Sequence, residues 1–159
     1  MKILGIDPGY ERLGVALIEK TGQKEKLVSS SCFTTNKKTP FAKRLLHIGK
    51  HIKEILEKEH PNFIAVETLL FNTNKKTAMA VSEVRGVILY EAACAGVEIC
   101  EYTPPEIKMA VTGYGHSEKK QVQFMVGKIL SLKTSLMIDD ECDAIAVALT
   151  CAAHQRGPF

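Results

Sequence analysis

The chain has 159 residues, 45% of them hydrophobic and 25% charged, which is the composition of one compact globular domain with material for a single core. Its net charge of +3, from 21 basic and 18 acidic side chains, is too small to declare a polyanionic partner by itself. The chain has no apolar run of membrane-spanning length, no secretory pattern in the opening MKILGID and no CxxC pair among its five cysteines, which predicts a cytoplasmic protein without membrane contact, disulfide framework or zinc site.

ILGID at residues 3–7 reads as a short buried strand that stops at Pro8-Gly9, and LGVALIE at 13–19 as its returning partner in a hairpin. KLVSSSCFTT after Gly22 supplies a third strand, and TNKKTP at 35–40 an exposed basic loop. Phe41, Leu45, Ile48, Ile52, Ile55 and Leu56 recur at helical spacing, with Pro61 just beyond the end of the helix they mark. NFIAVE at 62–67 is a buried strand ending on a carboxylate. TLLFNTNKK then leads into a helix from about Thr77 to Ala95, closed by Gly96. VEICEY at 97–102 is the next strand, and Pro104-Pro105 opens a helix that breaks at TGYGHS. Ser117 is the expected N-cap of a further helix, with Val122, Met125, Val126, Ile129 and Leu130 inward. A last apolar helix begins near Asp140 and runs to about Gln155. The pattern predicts an α/β fold over 1–159, a single domain with a mixed five-stranded sheet flanked by helices. The cysteines are expected to be mostly buried thiols.

The acidic residues carry the functional signal. Asp7 ends the first strand and Glu67 the fourth, so if these strands are parallel neighbours both acids emerge at one edge, where open α/β sheets tend to place their sites. DDECD at 139–143 brings more: Asp140 and Asp143 share a helical face, while Glu141 points elsewhere. Helical spacing alone leaves Asp139 with Asp143 as an equal alternative. Taken singly, each acid has an ordinary structural explanation, as a helix cap or a turn former. Together, four clustered carboxylates repel one another, and hard oxygen ligands of this kind suit a divalent cation such as Mg2+.

ILGIDPGYERLGVAL, FIAVE, VRGVI, PPEIKMAVTGYGHSEKKQVQFMV and DECDAIAVAL, in that order and spacing, closely resemble the RuvC family of Holliday junction resolvases. The resemblance covers essentially the whole chain. It implies a ribonuclease H-like fold and a Mg2+-dependent endodeoxyribonuclease with a pair of ions per site, Mn2+ being the alternative. Matching by motif, it places metal-binding and catalytic roles on Asp7, Glu67, Asp140 and Asp143, with Asp7 the candidate bridging ligand. The family pattern selects Asp140 over Asp139, which is then expected to cap the helix.

The same matching assigns Lys119 to the catalytic site and puts Lys108 and Lys119 near the DNA phosphates, with Lys75 and Lys76 in a loop that could flank them. Lys37, Lys38 and Lys120 read as ordinary surface lysines. RuvC-type proteins carry an aromatic three residues after the glutamate, as a wedge against junction bases. Here Leu70 stands there and Phe71 one place later, so either serves as the wedge or both anchor the loop on the core. A four-way junction is twofold symmetric, which calls for a homodimer; the helix from Thr77 to Ala95, with Gly86 allowing close approach, is the expected interface. RuvA and RuvB are the partner proteins the resemblance implies. The alternatives are another ribonuclease H-like nuclease, acting on RNA–DNA hybrids or other branched DNA, and a non-catalytic DNA-binding module. The complete acidic set argues against the second.

Overall fold

Three strands, β1 (Lys2–Asp7), β2 (Arg12–Thr21) and β3 (Lys24–Thr34), form an antiparallel meander in the computed structural model, which describes residues 1–68, 75–132 and 138–155, with residues 75 and 76 in backbone only. Two further strands, β4 (Phe63–Glu67) and β5 (Glu98–Tyr102), run parallel to β1 on its other side, giving the order β3-β2-β1-β4-β5. Helix α1 (Phe41–Glu59) crosses from β3 to β4, and α2 (Lys75–Cys94) from β4 to β5. After β5 come α3 (Pro104–Thr112), α4 (Lys119–Leu130) and α5 (Asp139–His154). The predicted mixed sheet and every predicted element are present, their ends shifted by a residue or two.

Strand alternation divides the core in two. Leu4, Ile6, Val15, Leu17, Ile64 and Val66 pack under α1 and α2. Ile3, Ala16, Ile18 and Ala65 pack under α3, α4 and α5. Helix α5 is buried from Ala144 to Ala152, which its small side chains permit. A Cβ built on Gly5 would collide with the Ala144 carbonyl and Ala148, so glycine in β1 is what lets α5 lie directly on the sheet.

Local chemistry explains most element ends. Thr103 and Glu106 form a capping pair at α3, with the Glu106 carboxylate accepting the Thr103 amide at 2.7 Å and two prolines in the first turn. At α4 the expectation fails: Glu118, not Ser117, is the N-cap residue, and its amide donates to Gln121 Oε1 at 2.8 Å. Ser117 is buried instead, its hydroxyl paired with Thr112 Oγ1 at 2.6 Å and donating to the Tyr114 carbonyl at 2.8 Å, where it closes the Gly-rich turn. Only Cys142 and Cys151 are fully buried. Cys32 and Cys100 are half-buried and Cys94 is exposed, so the thiols are less enclosed than expected.

Candidate active site

Because β1 and β4 are parallel and Ile6 pairs with Val66, Asp7 and Glu67 leave the sheet together one residue later. The alternation that puts Gly5 and Ala65 under α5 puts both acids on that same face. On the far side of β1, Asp7 is paired with Gly14 of β2. A Cβ on Gly14 would strike the Asp140 carbonyl and crowd the Asp7 Cβ. The first turn of α5 therefore rests on the Asp7–Gly14 pair, which brings Asp140 and Asp143 to the acids of the strands. Glu141 faces away and accepts a hydrogen bond from the Ser30 hydroxyl at 2.6 Å.

The charges at this edge are not self-sufficient. Burial, then the carboxylates of Asp143, Glu67 and Asp140, push Asp7 up from 3.8 to about 7, with Lys119 only partly opposing. Burial and Asp143 likewise push Glu67 up to about 7, against the pull of Lys119 and Lys108. Lys119 Nζ donates to Asp143 Oδ2 at 2.7 Å and lies 3.7 Å from Asp139. Burial works against the Lys119 ammonium, yet the hydrogen bond and attraction from Asp143, with Asp139 and Asp7 behind it, leave its pKa raised. On the other side Arg12 is ion-paired to Asp140 and also reaches Cys32. The turn that carries Arg12 is held from below by the buried Arg44, which donates to the Tyr10 carbonyl at 2.6 Å and to Thr35 Oγ1 at 2.8 Å.

Asp7, Glu67, Asp140, Asp143 and Lys119 are thus gathered as expected. Lys108 joins them: with Glu67, Lys119, Asp143, Ile107 and Val122 it lines a cleft of about 280 Å³. Leu70 and Phe71 lie outside the described residues, as do the side chains of Lys75 and Lys76 in the first turn of α2. Two points depart from the sequence reading. Asp139 does not cap α5, whose N-cap residue is Ile138; its carboxylate accepts from Gln123 Nε2 at 2.9 Å and faces Lys119 on α4. And among the described residues no three His, Cys, Asp or Glu side chains already surround a common point. Asp140 and Asp143 are instead turned toward Arg12 and Lys119, which offset the repulsion among the acids. Arg12 was absent from the sequence reading. Its signal was parity: Arg12, Gly14 and Ala16 alternate along β2 onto the α5 face.

Residues 3–151 match the family model for the crossover junction endodeoxyribonuclease RuvC. The chain belongs to the RuvC family. A RuvC from Desulfitobacterium hafniense (strain DCB-2) is 44% identical over 154 residues, covering 97% of this chain and 93% of its own. The RuvC of Thermosipho melanesiensis is 43% identical over 156 residues, covering 98% and 99%. Among solved structures, Thermus thermophilus RuvC in complex with a Holliday junction superposes with a TM-score of 0.91 at 34% identity, over 97% of this chain and 94% of that one. The yeast mitochondrial resolvase Ydc2 shares the fold, with a TM-score of 0.70 at 12% identity over 95% of this chain and 77% of its own. The sheet is the ribonuclease H-like one, and as a RuvC-family chain the protein is a hydrolase, a crossover junction endodeoxyribonuclease. No helix among the described residues is long and apolar enough to cross a membrane.

Proposed function

We propose that this RuvC-family chain resolves four-way DNA junctions with divalent ions, Mg2+ in the first instance and Mn2+ as the substitute, held by Asp7, Glu67, Asp140 and Asp143. The observation that carries the reading is the convergence of these acids from β1, β4 and α5 on one sheet edge, between Arg12, Lys108 and Lys119. The donor set fits such ions. All four are hard oxygen ligands, and the two strand acids remain raised to about 7 although Lys119 opposes the rise at both and Lys108 at Glu67, so the edge calls for more positive charge than the protein supplies. The RuvC family is metal-dependent.

When bound, a pair of divalent ions supplies Lewis acidity on both sides of an in-line displacement at phosphorus. The chain's own residues do the rest. Asp7, the acid on which the other three act, is the candidate for the ligand shared between ions. Lys119 and Lys108 flank the cleft at the height of Glu67 and Asp143, where ammonium groups can hold the scissile phosphate. Apolar Ile107 and Val122 form the cleft wall and limit water around the reacting group. Leu70, Phe71, Lys75 and Lys76, which follow Glu67 in the chain, are proposed to meet the bases and phosphates at the branch point.

The two nicks on a twofold junction are proposed to come from a homodimer. Helix α2 supports this: Met79 and Tyr90 are exposed, and Gly86 between them on the same face has open space where a Cβ would stand. RuvA and RuvB are the proposed partners that present the junction. The metal assignment is tested by calorimetric titration of Mg2+ and Mn2+ into the wild type, Asp7→Asn and Asp143→Asn. Saturable binding should appear only in the wild type. Equal binding by all three proteins would remove these acids from the metal site.

A further inference from the structure

Helix α4 leaves the acidic site at Lys119 and carries Lys120, Phe124 and Lys128 on its outer side, one stripe at four-residue spacing. Its inner side is spent on the core through Val122, Val126 and Gly127. Phe124 is 60% exposed, with Lys128 Nζ 5.4 Å from its ring centroid. Tyr114, in the turn before α4, is also 60% exposed. Between the two rings, Thr112, Lys120 and Gln121 help to line an open groove of about 430 Å³. Two largely exposed aromatic rings stand beside Lys120 and Lys128, the Tyr114 ring meeting His116 edge-on at 5.7 Å, and α4 carries no acid from Lys119 to Leu130. Ammonium groups alternating with flat apolar rings match a chain of phosphates and bases. The lysines neutralise the backbone, and the rings stack on bases that have lost their partners. Lys120 and Lys128 stand about 12 Å apart along the helix axis, far enough to meet separate phosphates.

We propose that the outer face of α4, formed by Lys120, Phe124 and Lys128 with Tyr114, is a track for an unpaired strand of the DNA substrate as it leaves the acidic site. The inference rests on the reading of that site as the nuclease centre, with which the track is continuous through Lys119. It revises Lys120 from an ordinary surface lysine to a DNA contact.

The test uses the whole chain carrying Asp7→Asn, expected to bind without cutting, and reads fluorescence anisotropy on two four-way junctions. One is fully paired; the other carries a run of unpaired thymidines beside the exchange point. Adding Phe124→Ala and Tyr114→Ala should weaken binding of the gapped junction about tenfold and that of the paired junction less. Adding Lys120→Gln and Lys128→Gln instead should reduce the slope of log affinity against log salt by about two. All four positions face solvent, and the melting temperature of each variant reports folding. If the aromatic pair disturbs the fold, the lysine pair decides alone. Affinities and salt slopes equal to those of the Asp7→Asn parent on both junctions would overturn the track. So would face variants that convert a dimer to monomer with unchanged DNA affinity, since the face would then belong to a second copy. A parent that binds neither junction would instead strike at the nuclease reading.

Discussion

Asp7→Asn should make the metal-free protein more stable while ending its activity. In the fold, burial and three neighbouring carboxylates raise Asp7 from 3.8 to about 7. A group raised in this way contributes its full stability below its unfolded pKa and loses it as pH rises through the folded value. At about 1.4 kcal/mol per pH unit, holding Asp7 ionised above the folded value costs at most about 4 kcal/mol. Relaxation and water entry reduce that ceiling, so we expect Asn, with the same shape and no charge, to gain about 2–4 kcal/mol at about pH 8. For a chain of this length that is a rise in melting temperature of roughly 5–10 °C. At about pH 5 the wild-type carboxyl is already protonated in the fold, and the gain should shrink to about 1–2 kcal/mol. Thermal denaturation in chelator at the two pH values reads both numbers. A variant no more stable than the wild type at either pH, or a gain that does not change with pH, would refute the reasoning. Adding Mg2+ should then stabilise the wild type and leave Asp7→Asn where it was.

Gly14→Ala places a methyl group against the Asp140 carbonyl and the Asp7 Cβ, so nicking should fall by orders of magnitude for a loss of only about 1–3 kcal/mol in stability, compared by melting and cleavage assays. Gly86→Ala meets nothing within the protomer and should leave its fold intact or gain up to about 1 kcal/mol, while sedimentation shows a weakened dimer if α2 faces its copy. Asp140→Asn and Asp143→Asn should each abolish Mg2+-dependent cutting, whereas Asp139→Asn, which can still accept from Gln123, should cut; a dead Asp139→Asn beside an active Asp140→Asn would move the register by one residue. Leu70→Ala with Phe71→Ala should slow cleavage of an intact junction more than of one already unpaired at its centre, and equal losses would assign both side chains to packing.

Much of the fold was legible because it is written in local pattern. The Pro8-Gly9 turn, the spacing of Phe41 to Leu56 and the paired prolines that open α3 each determine an element without help from distant residues. The acids were legible because they stand at strand ends and in one helical turn. What escaped depends on contacts far apart in the chain. Arg12 meets Asp140, 128 residues away, and although strand parity puts it on the α5 face, nothing local says which charge it will meet there. Gly5 and Gly14 stand inside the predicted strands with nothing local to single them out until α5 lies on them. Ser117 satisfies the general rule for a helix cap, but Thr112 and the Tyr114 carbonyl engage its hydroxyl first, and Glu118 takes the cap position. Asp139 falls one residue inside the helix, because Ile138 takes the N-cap position, and its carboxylate reaches across to Gln123 and Lys119 on α4.

The central claim is that the acids gathered on β1, β4 and α5 cut DNA at a branch with a divalent ion. Incubating the protein with Mg2+ and three substrates of matching sequence, a four-way junction, a plain duplex and an RNA–DNA hybrid, tests it most directly. The account predicts paired, symmetric nicks in the junction, none in the duplex or hybrid, and loss of all cutting in chelator or in Asp7→Asn. Cutting of the hybrid in preference to the junction, or junction cutting that survives both chelator and Asp7→Asn, would contradict it.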